Sequence, residues 1–197
     1  MVDIDILLTM GAAYKKVAAG EIIFREGATA CFYYQLVSGS VRWTNIDDDG
    51  KEFIQNMIGP GECFGELPLF DGEPFAASAI AETDAVIIRL HISSFHQLVL
   101  ERPEIHFEFT KLLSQRLRFK FMLLKELSNH NPEHCIISLL NYLKQNKKNI
   151  CSKCNKINLT RQHIANMTGL RVETVIRTMR HLHDKGQLMI QKGKVYC

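Results

Sequence analysis

Glycine interrupts the first half of this chain too regularly for long helices to form there. Turn signals recur at Gly20, Gly27, Gly39, Gly50, Gly59-Pro60-Gly61 and Gly72, roughly every seven to thirteen residues. Between them lie short runs rich in β-branched and aromatic residues: Glu21-Ile22-Ile23-Phe24, Phe32-Tyr33-Tyr34-Gln35-Leu36-Val37, Val41-Arg42-Trp43-Thr44 and Ala85-Val86-Ile87-Ile88-Arg89-Leu90. Many short strands joined by tight turns imply a sandwich or barrel, and the expectation is a jelly roll. Asp47-Asp48-Asp49-Gly50 could suggest a calcium loop, but the oxygen ligands needed downstream are missing, so it reads as a hairpin turn.

At Pro103 the pattern changes. A proline start followed by no glycine or proline as far as Ser128 predicts one long helix over 103–128. Its apolar residues, Phe107, Phe109, Leu112, Leu113, Leu117, Phe119, Phe121, Met122, Leu123, Leu124 and Leu127, cover more than the single stripe needed to pack on a barrel. The surplus at Phe109, Leu112, Phe119 and Leu123 suggests a coiled-coil seam with a partner helix, with Arg116 falling inside it. The competing reading is a helix buried wholly within one subunit.

Residues 159–180, LTRQHIANMTGLRVETVIRTMR, read as two short helices joined by a glycine turn. Thr160 is placed to cap the first, Ile164 and Met167 give it an apolar side, and Gly169 supplies the left-handed residue that ends it. The second starts near Arg171 or Val172, with Val172, Val175, Ile176 and Met179 as its apolar side and Glu173, Arg177 and Arg180 opposite. Residues 188–196, LMIQKGKVY, then form two β-rich runs around Lys192-Gly193-Lys194, which predicts a hairpin wing with a basic tip. The whole is a winged helix-turn-helix pattern, although a capped amphipathic helix pair also occurs in ordinary helical domains. Its chemistry suits duplex DNA. Arginine can donate twice to guanine O6 and N7 and glutamate can accept from cytosine N4, so Glu173 and Arg177, one turn apart, can address neighbouring base pairs in the major groove. Thr160, Arg161, Gln162, Arg171, Thr174, Arg180, Lys192 and Lys194 are further contact candidates; Arg171 gives up the usual capping side chain and gains reach toward a phosphate.

Charge distribution strengthens that reading. Residues 1–110 carry 7 Lys+Arg against 17 Asp+Glu, a balance of −10, and residues 111–197 carry 17 against 4, a balance of +13. The second half should attract a polyanion that the first half repels. The lysines of 144–148 read mostly as solvated surface. No apolar run of eighteen residues exists, and the acidic start Met1-Val2-Asp3-Ile4-Asp5 lacks the basic region of a secretory signal. The expectation is therefore a cytoplasmic protein without membrane partners, whose six cysteines are thiols by default. Cys151-Ser152-Lys153-Cys154 stands apart, since two thiols at this spacing suit a metal site or a redox switch; zinc wants four ligands, and only Cys135 or Cys197 could add to the pair if the fold brought them near.

Strand-rich domain, long helix and winged helix-turn-helix follow the order found in the family of the cyclic AMP receptor protein (CRP) and the fumarate and nitrate reduction regulator (FNR), and the residues resemble it over nearly the whole chain. Gly59-Pro60-Gly61-Glu62-Cys63-Phe64-Gly65-Glu66-Leu67-Pro68-Leu69-Phe70 is similar to the lead-in of the family's phosphate cassette, and Ala77-Ser78-Ala79-Ile80-Ala81 to the strand that follows it. Thr160-Arg161-Gln162, Gly169-Leu170 and Val172-Glu173-Thr174-Val175 with Arg177 resemble its reader. The resemblance implies an α+β architecture: a cyclic-nucleotide-binding-like jelly-roll barrel over 1–102, a dimerisation helix over 103–128 and a winged helix-turn-helix over 129–197. It further implies a non-enzymatic homodimeric transcription regulator reading a palindromic site on double-stranded DNA, with RNA polymerase open as a further partner. Val172 matches the FNR branch at the recognition helix, where a half-site near TTGA is expected, and Ile176 replaces a serine common there.

Two departures constrain the input. Cyclic-nucleotide-binding members end the cassette with Arg-Ser or Arg-Thr, where this chain has Phe75-Ala76. A cyclic phosphate facing Glu66 without a guanidinium is poorly stabilised, so cyclic AMP is not expected, and the effector and any cofactor stay unassigned. Phe64, Gly65, Glu66, Leu67, Phe75 and Ala76 are the pocket candidates; Phe64, Phe70 and Phe75 would either line an apolar effector pocket or fill the core. Nor is an N-terminal iron–sulfur cluster expected, because no cysteine precedes Cys31. Two other functions fit parts of the pattern: a ligand-binding module controlling a protein partner, and a thiol or metal redox sensor using Cys151 and Cys154.

Overall fold

A computed structural model describes residues 1–151 and 153–196. The chain divides into two compact units, Met1–Leu113 and Ser114–Cys197, within an α+β architecture.

In the first unit a short helix α1 (Ile4–Thr9) precedes β1 (Ala13–Val17), β2 (Ile22–Phe24), β3 (Phe32–Ser38), β4 (Val41–Ile46), β5 (Glu52–Ile58), β6 (Cys63–Phe64), α2 (Pro68–Asp71), β7 (Ser78–Ala81) and β8 (Ala85–His91). These strands form two four-stranded antiparallel sheets, ordered β1-β8-β3-β6 and β2-β7-β4-β5. The turns fall at the glycines because the backbone there is left-handed. At Gly39 (φ +90) a Cβ would meet the Asp84 carbonyl oxygen at 2.5 Å, so only glycine fits. The Asp47–Gly50 stretch closes the β4–β5 hairpin as expected, Asp47 Oδ1 accepting from the Lys51 amide at 2.7 Å.

Strand β3 explains why its sequence is apolar without alternation. Tyr34 and Leu36 point into the core shared with Phe24, Trp43, Phe64, Phe75 and Ile87, whereas Tyr33 joins Leu90, Phe95, Leu98, Ile105 and Phe109 on the other face. A strand covered on both sides reads as a continuous hydrophobic run. The second cluster is roofed by α3 (Ile92–Glu101) and the first turns of α4 (Pro103–Ser128).

Helix α4 has the extent expected from sequence, but the coiled-coil seam does not. Phe109, Phe119 and Leu123 are 2–4% exposed and Leu112 is half-buried against the second cluster, so these residues pack within their own units. Exposed instead are Phe107, Leu117, Phe121 and Leu124. Arg116 is half-buried and lies off that exposed set. Of two apolar stripes on one helix, the fold consumed the one assigned to a partner.

The second unit continues with α5 (Pro132–Gln145), α6 (Arg161–Thr168), α7 (Val172–Asp184), β9 (Met189–Gln191) and β10 (Lys194–Tyr196). Asn131 caps α5 by accepting from the Glu133 and His134 amides. Phe119 stacks on Tyr142 with ring centroids 4.2 Å apart, and α7 packs on α5 and α6. At the α4–α5 junction the Glu126 carboxylate, 4% exposed, accepts from His134 Nδ1 and from the Ser138 hydroxyl at 3.1 Å. Burial opposes its ionisation, but these hydrogen bonds outweigh burial and hold its pKa below the ordinary carboxylate value.

Candidate nucleic-acid interface

Local chemistry builds the helix-turn-helix much as its sequence suggests. The Thr160 hydroxyl accepts from the His163 amide at 3.0 Å, starting α6. Gly169 at φ 68 ends it. Arg171 occupies the cap position of α7 without a side-chain cap bond, which leaves its guanidinium outward.

Helix α7 seats Val175, Met179 and Leu182 in the core, at three- and four-residue spacing. Glu173, Arg177 and Arg180 are exposed and Thr174 is half-buried. Ile176 is 38% exposed, so it does not belong to the packing side where its hydropathy had put it. It stands between the two charged residues in sequence and on the accessible side with them, and its methyl groups add an apolar element suited to a thymine methyl. The far end of α7 is tied down: Glu133 accepts from Lys185 Nζ at 2.7 Å and lies 3.6 Å from His181 Nε2, and the Lys185 hydrogen bond holds the Glu133 carboxyl below its ordinary value.

Strands β9 and β10 pair antiparallel, with Lys192 (φ 47) and Gly193 (φ 74) at their turn. Lys192 and Lys194 are both exposed. The wing is joined to a preceding hairpin, closed by the Ile150–Ile157 bridge, through the Lys156–Tyr196 bridge and the Ile157 amide donating to the Val195 carbonyl at 2.9 Å. The result is a concavity of about 500 Å³ that brings Thr160 and Arg161 beside Gly193 and Lys194, with Lys156 on its wall. Sequence reasoning missed Lys156; its only signal was a lysine next to a cysteine hairpin. Arg161 is partly buried, and that burial lowers its pKa. Gln162 donates to Asn166 Oδ1 at 2.7 Å. An open face carrying this many donors suits phosphate and base edges together.

The barrel residues are arranged differently. Phe64 is fully buried and Phe75 is 3% exposed. Phe75 stacks on Phe24 with centroids 3.8 Å apart and planes at 10°, and Phe24 lies 5.9 Å from Phe64. A Cβ on Gly65 (φ +67) would stand 2.5 Å from Phe24 and 2.9 Å from Phe75. Glu66 is fully buried, and Leu67 packs against the same cluster. Ala76 is exposed, its carbonyl accepting from Asn45 Nδ2 at 2.8 Å. Phe70 does not join them; it packs beside Phe95 and Phe109 in the other cluster.

In the cysteine hairpin, the Lys153 and Cys154 amides donate to the Cys151 sulfur, and the Cys154 thiol adds a third hydrogen bond. Together these hold the Cys151 pKa below its ordinary value. Among the described residues no group of three or more His, Cys, Asp or Glu side chains is placed to hold a metal ion; Cys197 lies outside them. Cys135 is buried, and burial together with Glu126 pushes its thiol up to about 11.

A packed β-domain ahead of an exposed recognition helix and basic wing defines a DNA-binding regulator. Residues 14–102 match the cyclic nucleotide-binding domain family, and residues 136–196 match the Crp-like helix-turn-helix domain. The cAMP-activated global transcriptional regulator CRP of Haemophilus influenzae is 31% identical over 172 residues, covering 86% of this chain and 77% of that protein. The cyclic AMP receptor protein of Thermus thermophilus is 28% identical over 177 residues, covering 89% and 79%. Solved structures share the fold: the c-di-GMP responsive regulator CLP of Xanthomonas campestris (TM-score 0.78, 21% identity, 98% and 96% covered) and FixK2 of Bradyrhizobium japonicum (TM-score 0.80, 22% identity, 94% and 91% covered). This chain belongs to the CRP/FNR family of transcription regulators. Consistent with that membership, no described helix is long and apolar enough to cross a membrane.

Proposed function

We propose that this regulator binds a palindromic DNA site as a homodimer, each subunit reading its half-site through Glu173, Ile176 and Arg177, with an input through the barrel other than cyclic AMP. The observation that carries the reading is the division of α7: Val175, Met179 and Leu182 are buried while Glu173 and Arg177 are exposed one turn apart. A recognition helix needs that division, because a fixed packing side sets the angle at which the outer side meets the groove. Phosphate contacts fall to Thr160, Arg161, Gln162, Arg171, Thr174, Arg180, Lys192 and Lys194, with Lys156 added by the concavity. A G·C-bearing half-site of the FNR type near TTGA follows from Val172, Glu173 and Arg177.

Dimerisation runs through Leu117, Phe121 and Leu124, spaced i, i+4 and i+7 and 55–62% exposed, with Phe107 at a heptad-compatible position toward the start of α4. Exposed phenylalanine and leucine in such a row call for a cover, and a second α4 supplies it. Against cyclic AMP stands the Phe24–Phe75 stack in the segment where a phosphate-binding arginine would be needed.

Selection of bound sequences from a random DNA pool tests the reader and the symmetry together. The expected outcome is an inverted repeat whose half-sites contain a G·C pair; enrichment of a single non-repeated element sinks the homodimeric reading. Phe121→Asp is expected to shift the protein from dimer to monomer in sedimentation at micromolar concentration, and an unchanged dimer would remove α4 from the interface.

A further inference from the structure

Among the described cysteines, Cys63 and Cys135 are buried, Cys31 and Cys154 are exposed, and Cys151 is partly accessible. The Lys153 and Cys154 backbone N–H groups reach the Cys151 sulfur. Lys156 adds positive potential beside it. The chain closes on itself around the pair, the Cys151 amide donating to the Lys156 carbonyl at 2.8 Å and the Asn155 amide to the Cys151 carbonyl at 2.9 Å. A second thiol, Cys154, is within hydrogen-bond reach of the first. A thiolate is the nucleophilic form of cysteine, and reactive thiols sit in electropositive, partly accessible surroundings with a resolving partner nearby.

We propose that Cys151 and Cys154 form a peroxide-responsive, reversible dithiol–disulfide site, with Cys151 the attacking sulfur and Cys154 the resolving one. A hydroperoxide is the oxidant. The Cys151 thiolate attacks the terminal peroxide oxygen; an S–O bond forms, the O–O bond breaks, and the leaving oxygen departs protonated as water or an alcohol. Cys151 is then a sulfenic acid. The Cys154 sulfur attacks Cys151 Sγ, the S–S bond forms, and hydroxide leaves as water with the Cys154 proton. Two electrons have passed from the thiols to the peroxide, and a dithiol reductant reverses the step by exchange. Two ligands suffice for this chemistry, where zinc would need four.

The site sits beside the wing. The hairpin pairs with β10 through Lys156 and Tyr196, and Cys154 lines a cavity of about 540 Å³ with His183, Gly186, Leu188, Met189 and Tyr196. The proposal concerns thiol chemistry alone and stands or falls independently of the DNA reading.

The test uses the full-length reduced protein and hydrogen peroxide, with Cys31 as an internal exposed reference. Cys151 should oxidise at least about tenfold faster than Cys31, giving a product two hydrogens lighter whose disulfide maps to Cys151–Cys154 and which dithiothreitol restores. Cys154→Ser should leave a sulfenic acid on Cys151 that dimedone traps, and Cys151→Ser should abolish both products while Cys31 labelling stays unchanged. Oxidation of Cys31 at the same rate as Cys151, a disulfide to Cys197 instead, or dimedone labelling of the hairpin that survives Cys151→Ser would each overturn the assignment. The rate ratio needs no variant, so a misfolded mutant cannot mask the result.

Discussion

Gly65 (φ +67) and Gly169 (φ 68) share a left-handed backbone, yet the first is walled in by Phe24 and Phe75 and the second joins a capped helix to one with charged groups exposed. Around Gly65 the missing Cβ makes room for rings, and the cassette segment turns its large side chains inward to fill the barrel. Gly169 takes the left-handed backbone that ends α6, and α7 turns its apolar side chains inward so that Glu173 and Arg177 stay out. The contrast teaches what each region can do on contact with a partner. A site that already satisfies its own packing binds a ligand only by displacing rings, at the cost of the dispersion and burial they supply. A site whose packing lies behind its functional groups meets a partner with little rearrangement.

The sharpest way to break the comparison is to hollow the barrel. Phe75→Ala should destabilise the first unit by about 3–5 kcal/mol, the usual cost of a buried phenylalanine truncated to alanine, read as a lowered urea midpoint. A loss below about 1 kcal/mol would make Phe75 a pocket liner rather than core. Cyclic AMP at millimolar concentration should leave the melting temperature of the unaltered protein unchanged, since nothing stabilises that does not bind.

On the open side, Arg177→Ala should reduce the preference for specific over random DNA by about 1–3 kcal/mol with no change in melting temperature, because the guanidinium is exposed. Equal losses on both DNAs would demote Arg177 to a phosphate contact. The Ile176→Ser variant sharpens the point: thymine preference at one half-site position should weaken by a smaller amount, about 1 kcal/mol.

Much of the reader was legible because its determinants are local. Thr160 caps three residues ahead, Gly169 ends a helix, and Glu173 with Arg177 need only helical periodicity to share a face. Ile176 was misassigned for the same reason: hydropathy cannot say whether an apolar residue beside Val175 belongs to the core or to a base contact, and the packing of α7 on α5 and α6 decides it. In α4, Phe109, Phe119 and Leu123 were expected to meet a partner, but two apolar stripes along one helix look alike until their cover is known. The barrel interior was least legible. Phe75, in the loop ahead of β7, packs on Phe24 of β2, far away in sequence, and no local pattern pairs them.

The junction behind the reader gives a smaller, pH-dependent effect. Glu126 has a folded-state pKa below its unfolded value because the His134 and Ser138 hydrogen bonds outweigh burial. Its contribution is therefore fully present above the unfolded carboxylate range and is lost as pH falls through the folded pKa. Glu126→Gln should lower stability by about 1 kcal/mol at neutral pH and flatten the fall of the urea midpoint as the pH drops below about 5, through and under the unfolded carboxylate range. An identical acid profile in the variant would show that Glu126 is not the group responsible.

The smallest effect tests whether the wing is truly part of the open side. Lys192 projects from a turn whose backbone strain at φ 47 keeps it at the tip, and exposed lysine offers a charge without base-edge geometry. Lys192→Ala should weaken specific and random DNA alike by a few-fold and reduce the slope of log affinity against log salt by about 1. A loss confined to the specific site would make the wing a base reader, and an unchanged slope would place it away from the duplex, leaving Thr160, Arg161 and Lys194 in the adjoining concavity to hold the backbone.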